Sequence, residues 1–219
     1  MSVKSGKALK RCVVASSNRG KLRELGVMLE PLGVTPVAQG ELNIDPAPEP
    51  HCTFIENCLA KARHASKASG LPALADDSGV CVPALGGAPG VYSARYAQRA
   101  GVHTGDAADA ANNAHLVSEL SQLAAASPEG DPFAAYYYCV LVWLERWDDP
   151  QPVIADARWQ GRIIAEPRGS SGFGYDPHFL LPDIGLTAAQ LPPDEKNAIS
   201  HRGQAMRLLQ SQLLSLRSG

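Results

Sequence analysis

The sequence predicts an α/β fold, because short apolar runs that are typical of buried strands alternate with segments of helical periodicity. Residues 12–15, 34–38 and 136–144 are such runs, and the last is an almost unbroken apolar and aromatic stretch that favours a central strand. Residues 153–164 are expected to add one or two strands. A capping box that begins at Thr53 predicts the start of an amphipathic helix.

The composition indicates one domain of ordinary size. The chain has 219 residues, of which 45% are hydrophobic and 19% charged, so it can form a core and is not expected to be disordered. A net charge of −2 gives no general attraction to nucleic acid or to a membrane surface. Five cysteines without C-x-x-C spacing are typical of reduced thiols in a cytoplasmic protein. We expect a loose tail at residues 1–10 and a single domain at residues 11–219, without a signal peptide or membrane span.

Two adjacent carboxylates, Asp76 and Asp77, lie within an apolar segment that is predicted to be a buried strand. Neighbouring side chains of a strand point to opposite faces, so we expect only one of the two to face a given cleft, and Asp76 to be turned away from it. A carboxylate in this place is suited to hold a hard divalent cation or to accept a proton from water. The alternative is an Asx-turn, in which an aspartate caps its own backbone ahead of Ser78 and Gly79.

Polar residues 16–21 follow the first predicted strand and precede a helix that is expected to end at Pro31 and Gly33. A strand, a small polar loop and a helix start form an anion site, because free N–H groups and the helix dipole point at the loop. It is not a Walker A loop, since Ala15 replaces its first glycine and Leu22 its Ser/Thr. The alternative is a capped helix with solvated basic side chains.

The middle of the chain is predicted to contain rigid loops and a separate helical lobe. Residues 43–50 are rich in proline, and residues 85–96 contain three glycines and a proline, so both are expected to be constrained loops. Residues 104–123 have the spacing of a helix that belongs to the lobe, and residues 124–131 are expected to form a linker-like turn.

Two clusters near the C-terminus are candidates for ligand binding. Glycines on both sides of Phe173 would let a flat ligand approach its ring, although a plain turn with a core phenylalanine is the alternative. The last helix, expected to run to about residue 216, begins with basic side chains that oppose the helix dipole. Their position is reasonable if an anion or a carbonyl-rich base lies between them, and a solvated face is the alternative. These side chains are Lys196, His201 and Arg202, with Ser200 beside them.

Taken together, these motifs resemble the inosine triphosphate pyrophosphatase family over residues 12–214. Six motifs occur in the family's order, and their combination is far more specific than any one of them. They are Ser17-Asn18-x-Gly20-Lys21, Thr53-Phe54-x-Glu56-Asn57, Ala75-Asp76-Asp77-Ser78-Gly79, Leu85-Gly86-Gly87-x-Pro89-Gly90-x-Tyr92-Ser93-Ala94-Arg95-Tyr96, Gly172-Phe173-Gly174-Tyr175-Asp176-Pro177 and Glu195-Lys196-x-x-Ile199-Ser200-His201-Arg202.

The resemblance implies a long, curved, mixed sheet flanked by helices, with two lobes that enclose a nucleotide cleft, and it implies a homodimer. The implied reaction is Mg²⁺-dependent hydrolysis of ITP, dITP and XTP to the monophosphate and pyrophosphate. Asp77 would be the catalytic carboxylate and a metal ligand, and Glu49 the second metal ligand. The loop reads Glu49-Pro50-His51 where the family commonly has Glu-Thr-Gly.

The resemblance also implies the substrate contacts. The triphosphate would be held by Ser16, Ser17, Asn18, Arg19, Gly20 and Lys21, with Ser78 against the substrate and Lys61 in the cleft. The base and sugar would lie against Phe173, Gly174, Tyr175, Asp176 and Lys196, and the purine would be read by His201 and Arg202. Two rival functions remain: a pyrophosphatase for other modified nucleotides on a related fold, and a nucleotide-binding regulator without hydrolysis.

Overall fold

The computed structural model describes residues 10–103, 105–126 and 131–218. Within these residues the strands are β1 (Lys10–Ala15), β2 (Val34–Ala38), β3 (Ala73–Cys81), β4 (Ala134–Leu144), β5 (Val153–Ile163), β6 (Phe179–Leu181) and β7 (Leu186–Thr187). The α-helices are α1 (Arg19–Leu29), α2 (Phe54–Ser69), α3 (Tyr96–Arg99), α4 (Ala108–Ala126), α5 (Pro193–Ile199) and α6 (His201–Ser218). No helix among the described residues has the length and apolarity to cross a membrane.

The strands form one mixed sheet in the order β2-β1-β3-β4-β5-β6-β7, which confirms the predicted α/β class. The first three strands are parallel, and each later strand runs antiparallel to its neighbour. On β3, pairing with β1 stops where Ala15 meets Ala75, whereas pairing with β4 continues to Cys81. From Asp76 onward, β3 therefore borders an opening instead of a described strand on its β1 side.

Three apolar clusters pack against the sheet. One face of β1, β3 and β4 packs on α1 and α6, and the opposite face packs on α2. At the far end of the sheet, Trp159 and Phe179 belong to one apolar cluster with Leu116 and Leu120 of α4. The molecule thus has a helix-covered body and a second lobe around α4, with the opening beside β3 between them.

The structure confirms most helix ends that local sequence signals predict. The Asn18 side chain accepts hydrogen bonds from the N–H groups of Gly20 and Lys21 and so caps α1. Thr53 caps α2 as predicted, since its hydroxyl oxygen accepts from the Glu56 N–H, but the Glu56 carboxylate accepts from the Thr53 hydroxyl and so does not complete a capping box. The C-terminus of α2 is closed by Gly70 in the left-handed region. These ends were predictable because each depends on residues within one helical turn.

Other boundaries differ from the prediction. The helix expected at residues 104–123 is α4, preceded by a 3-10 turn at Gly105–Ala107, and it continues into the segment expected to be a linker; residues 104 and 127–130 lie outside the described residues. Ser200 adopts an extended conformation, so Lys196 lies on the separate short helix α5 instead of at the start of the last one. Most of the predicted N-terminal tail lies outside the described residues, and its last residue, Lys10, already belongs to β1.

Candidate active site

The opening beside β3 contains a cavity of about 310 Å³, which is lined by most of the predicted site residues. Asp77 approaches it from β3, and the phosphate-loop candidates approach it from the turn before α1 and from the first turn of that helix. The aromatic and cationic candidates come from the loop between β5 and β6 and from α5 and α6. The predicted residues that line it are Ser16, Ser17, Asn18, Lys21, Glu49, Lys61, Asp77, Ser78, Phe173, Gly174, Tyr175, Asp176, Lys196, His201 and Arg202.

At one end of the cavity a lysine bridges the two predicted metal ligands. Lys61, on α2, places its Nζ 2.9 Å from Asp77 Oδ1 and 2.9 Å from Glu49 Oε1. Arg95 Nη1 lies 3.3 Å from Glu49 Oε2. The α2 helix that begins at the Thr53 cap thus delivers Lys61 to the point where β3 leaves β1.

Burial and charge act differently on these groups. Burial raises the pKa of Asp77, and the nearby Lys61 only partly opposes this shift. For Glu49 burial also favours the neutral form, but Lys61 and Arg95 outweigh it and lower the pKa of this carboxyl. Burial works against the charge of Lys61, yet Asp77 and Glu49 raise its pKa above the ordinary value. Asp77 is therefore a stronger base than a solvated aspartate.

The donor set fits a hard cation only in part. Among the described residues, no three His, Cys, Asp or Glu side chains form a cluster suited to hold a metal ion. Asp77 Oδ2, however, is buried without a hydrogen-bond partner, and Glu49 lies across Lys61 from it. One or two carboxylates are what Mg²⁺ takes from a protein when substrate phosphates supply further oxygens. The residues present therefore fit a cation that is shared with a phosphate-bearing ligand.

Asp76 lies on the opposite face of the sheet, as the strand alternation predicted, but it is not turned away from the cavity. Its Oδ1 lies 2.5 Å from Lys21 Nζ, and its Oδ2 accepts from Arg202 Nε at 2.7 Å. The expectation was wrong because β1 ends before Asp76, so the opening reaches both faces of β3. Although burial alone would raise it, the pKa of Asp76 is well below its ordinary range because Arg202 and Lys21 stabilise the charged form.

The other end of the cavity is aromatic. Phe173 lies against the first turn of α1, where a Cβ on Gly20 would come within 2.5 Å of its ring. Gly20 therefore leaves the space in which the Phe173 ring packs. Neither Gly20 nor the exposed Arg19 lines the cavity. Lys196 Nζ lies 5.1 Å from the centroid of the Phe173 ring.

Asp176 organises this aromatic end instead of facing it with free oxygens. Its Oδ1 accepts from the Tyr137 hydroxyl at 3.1 Å, and its Oδ2 accepts from the Phe173 N–H at 2.9 Å and from Lys196 at 2.7 Å. Tyr175 is also tied to the protein, since its hydroxyl donates to the Ser93 carbonyl at 2.9 Å. In this structure both side chains fix the wall of the cavity.

His201 and Arg202 are both buried, and their partners differ. The His201 ring stacks on Tyr137 with centroids 4.6 Å apart, and its Nδ1 has no hydrogen-bond partner. Burial, with Arg202 beside it, lowers the pKa of His201 well below its ordinary value, so the ring is neutral. Arg202 contacts Asp76, Glu24 and the Ser78 hydroxyl. The anion expected near this arginine is thus supplied by the protein's own carboxylates.

Several cavity residues were missed as site residues. Arg95 belongs to one of the six motifs but was not assigned a role. Tyr137 lies in a predicted strand, and strand alternation would have placed its side chain on the side of α6. Gln39 donates from Nε2 to the Ser17 hydroxyl at 3.2 Å, and Asp109 reaches the cavity from α4. Neither of these two has a local sequence signal, because both act through contacts with distant loops.

Comparison with known proteins decides the family. A sequence model of the Ham1 family matches residues 12–212. The chain belongs to the Ham1 family. It is 56% identical over 210 residues to a dITP/XTP pyrophosphatase from Burkholderia pseudomallei, covering 96% of each chain. It is 59% identical over 205 residues to one from Ralstonia nicotianae, covering 94% of this chain and 97% of that one.

A solved Ham1 structure shares the fold. A HAM1 protein from Coxiella burnetii superposes with a TM-score of 0.82 at 42% identity, over 94% of this chain and 99% of that one. The mixed sheet and the helices that flank it are thus shared with a protein of the Ham1 family. The resemblance drawn from the six motifs is confirmed.

Proposed function

We propose that this Ham1 protein hydrolyses the non-standard purine nucleoside triphosphates ITP, dITP and XTP to the monophosphate and pyrophosphate. The observation that carries the proposal is that the two ends of the cavity beside β3 differ: one holds Asp77, a carboxylate with an unpartnered oxygen, and the other an aromatic and cationic wall around Phe173 and Lys196. A nucleotide has the same polarity, with phosphates at one end and a flat base at the other. Relatives named dITP/XTP pyrophosphatase support dITP and XTP among these substrates.

We assign the proton transfer to Asp77. A water oxygen attacks the α-phosphorus while the bond from that phosphorus to the bridging oxygen breaks, and Asp77 accepts the proton that the water loses. The raised pKa of Asp77 makes it a better acceptor near neutral pH than a solvated aspartate. Pyrophosphate then leaves with the electron pair of the broken bond. Positioning and electrostatic stabilisation supply most of the catalysis in this chemistry.

Magnesium is the proposed cofactor, with Asp77 and Glu49 as its protein ligands. When bound, Mg²⁺ would neutralise charge on the phosphate oxygens. Lys61 holds Asp77 and Glu49 together in this structure, and it has the charge to contact a phosphate when it is released from them. Arg95 is placed to do the same from the other side of Glu49.

The phosphates are proposed to lie against the turn before α1. Asn18 already accepts from the first N–H groups of the helix, so the contacts fall to the hydroxyls of Ser16 and Ser17 and to the Lys21 ammonium. Ser17 is held by Gln39, which fixes the turn. Lys21 adds positive charge, although it shares that charge with Asp76 in this structure.

Base selection is assigned to the cationic wall. Inosine and xanthine carry an acceptor oxygen at position six, whereas adenine carries an amino donor there. Lys196 and Arg202 offer only donors, so an adenine amino group would face donors without an acceptor and lose its hydrogen bonds to water. The neutral His201 offers either a donor or an acceptor. The cavity therefore favours a six-oxo purine.

A turnover panel with Mg²⁺ tests this function. Release of pyrophosphate is measured for ITP, dITP, XTP and ATP with the wild-type protein. We expect kcat/KM for ITP or XTP to exceed that for ATP by about a hundredfold or more, from a few kcal/mol of lost pairing. Equal turnover of ATP and ITP would overturn the proposed base selection. If none of the four triphosphates releases pyrophosphate, the proposed hydrolase activity is wrong.

We also infer a homodimer in the cytoplasm. The five cysteines are free, which supports a reducing compartment. The homodimer that the family resemblance implies supports self-association. Light scattering after gel filtration measures the mass, and a monomer at micromolar concentration would contradict the dimer.

A further inference from the structure

The loop that carries Phe173 is hydrogen-bonded to the helical lobe at one residue, Gly174. Asp109 Oδ2 accepts from the Gly174 N–H at 2.8 Å, and Asn113 Nδ2 donates to the Gly174 carbonyl at 2.8 Å. Asn113 also donates to the Asp109 carbonyl at 2.9 Å, so the two side chains are linked within one turn of α4. Both hydrogen-bonding groups of the Gly174 backbone are therefore held by α4.

The hydrogen bonds from α4 matter because the conformation of the loop leaves the Gly174 backbone without other partners in the described part of the chain. Gly174 has φ +62°, a left-handed backbone conformation that leaves its N–H and carbonyl outside any strand or helix. Without Asp109 and Asn113, no other described contact holds these two groups. Asn113 is only 6% exposed, so its contact is shielded from water, whereas Asp109 is exposed and lies at the edge of the cavity.

On its other side the same loop is held by the body of the protein. The Phe173 N–H donates to Asp176, and the Phe173 ring occupies the space left by the absent Cβ of Gly20 on α1. Phe173 is thus held by two sets of contacts, one with the body and one, through Gly174, with the lobe. Loss of either set lets the ring move relative to Lys196, which lies over it.

We propose that Asp109 and Asn113 are positioning residues that clamp the aromatic loop at Gly174 and so set the affinity of the site for the purine base. The inference rests on the proposed function, since it assumes that the base lies against Phe173. Asp109 and Asn113 need not touch the nucleotide. They act through the backbone of Gly174, which lies at the base end, whereas the phosphate end is built from β3, α2 and the turn before α1.

Binding of the two reaction products separates the two ends of the site. Calorimetry measures inosine monophosphate and pyrophosphate, each with Mg²⁺, on the wild type and on Asp109→Ala and Asn113→Ala. Each variant should weaken inosine monophosphate about fivefold, as expected for the loss of one or two hydrogen bonds that position the ring, and leave pyrophosphate within about twofold. In turnover of ITP, KM should rise by a similar factor while kcat stays within about twofold.

Two further variants separate a clamp from a general structural role. Asp109→Asn keeps an oxygen that accepts from the Gly174 N–H, so it should restore binding of inosine monophosphate. Asp149→Ala is the matched control, because Asp149 also accepts from backbone N–H groups, those of Glu145 and Gln151, in the turn between β4 and β5. It should change neither product.

The outcomes are distinct. Equal weakening of both products in Asp109→Ala, or unchanged binding in both alanine variants, would overturn the clamp. A wild type that binds pyrophosphate but not inosine monophosphate would instead overturn the proposed function, because the base end would then have no purine to hold. Thermal unfolding of each variant shows that binding is compared between folded proteins.

Discussion

Asp76 and Asp77 are neighbours on one strand, both are buried, and their pKa values shift in opposite directions. Every oxygen of Asp76 has partners, with Lys21 and Ser78 on one and Arg202 and Cys139 on the other. Asp77 has Lys61 on one oxygen, and its other oxygen is buried with no hydrogen-bond partner.

The difference teaches that position in the chain does not decide the role of a carboxylate here. Two acids whose surroundings drive their pKa values apart are suited to different tasks, one as a fixed counter-charge and one as a base. Asp76 fastens α1 and α6 to the sheet through Lys21 and Arg202. Asp77 retains an oxygen for chemistry. Three predictions test this division, from the largest expected effect to the smallest.

Replacing the fixed counter-charge should cost the most. Asp76→Asn leaves Arg202 buried with a neutral amide in place of its carboxylate, and breaking a buried pair in this way costs about 3–5 kcal/mol of the free energy of unfolding. Urea unfolding of the variant measures this loss. Asp148→Asn, which breaks the exposed pair with Arg146, is the control and should cost less than about 1 kcal/mol. A loss at Asp76 no larger than at Asp148 would remove the distinction between the two aspartates.

Replacing the base should instead leave the fold intact and remove the reaction. Asp77→Asn should lower kcat by about a hundredfold or more, because an amide neither accepts the proton nor holds a cation well. Turnover of ITP and urea unfolding are measured on the same sample. If kcat stays within about tenfold of wild type, Asp77 is not the base, and if Asp76→Asn lowers kcat more than Asp77→Asn while still folded, the two roles are reversed.

The smallest effect is a difference in pH dependence. The folded protein holds a proton on Asp77 more tightly than the unfolded chain, so this group lowers stability at neutral pH, and the loss is relieved as the pH falls toward the ordinary value of 3.8. Asp77→Asn should therefore be more stable than wild type at pH 7, by a margin that shrinks toward pH 4.

Asp76 changes the pH dependence of stability in the opposite direction. Its pKa is lowered in the folded state, so its contribution is fully present above 3.8 and is lost only as the pH falls below that value. The deficit of Asp76→Asn should therefore stay constant between pH 4 and pH 8. Urea unfolding across this range, with a chelator present, compares both variants with wild type. Parallel pH profiles for the two differences would contradict the opposite shifts.

Much of the fold followed from local patterns. Thr53 with Glu56, Gly70 and Asn18 fix helix ends because a cap needs only residues within a turn, and the apolar run of β4 predicts a buried strand wherever it pairs. The break at Ser200 and the short strands β6 and β7 were missed, since their signals are weaker than the periodicity around them.

The sequence alone determined most of the residues that gather at the site, and it determined that Asp76 and Asp77 point to opposite faces of their strand. Only the tertiary structure decided that Asp76 also reaches the cavity, that Asp176 is fully engaged by Tyr137 and Lys196, and that α4 grips Gly174. The reason is physical. Strand alternation is set by the backbone of each residue, whereas the opening depends on β1 ending opposite Ala75. Hydrogen-bond partners from distant segments then depend on that opening, and no pattern within one segment contains them.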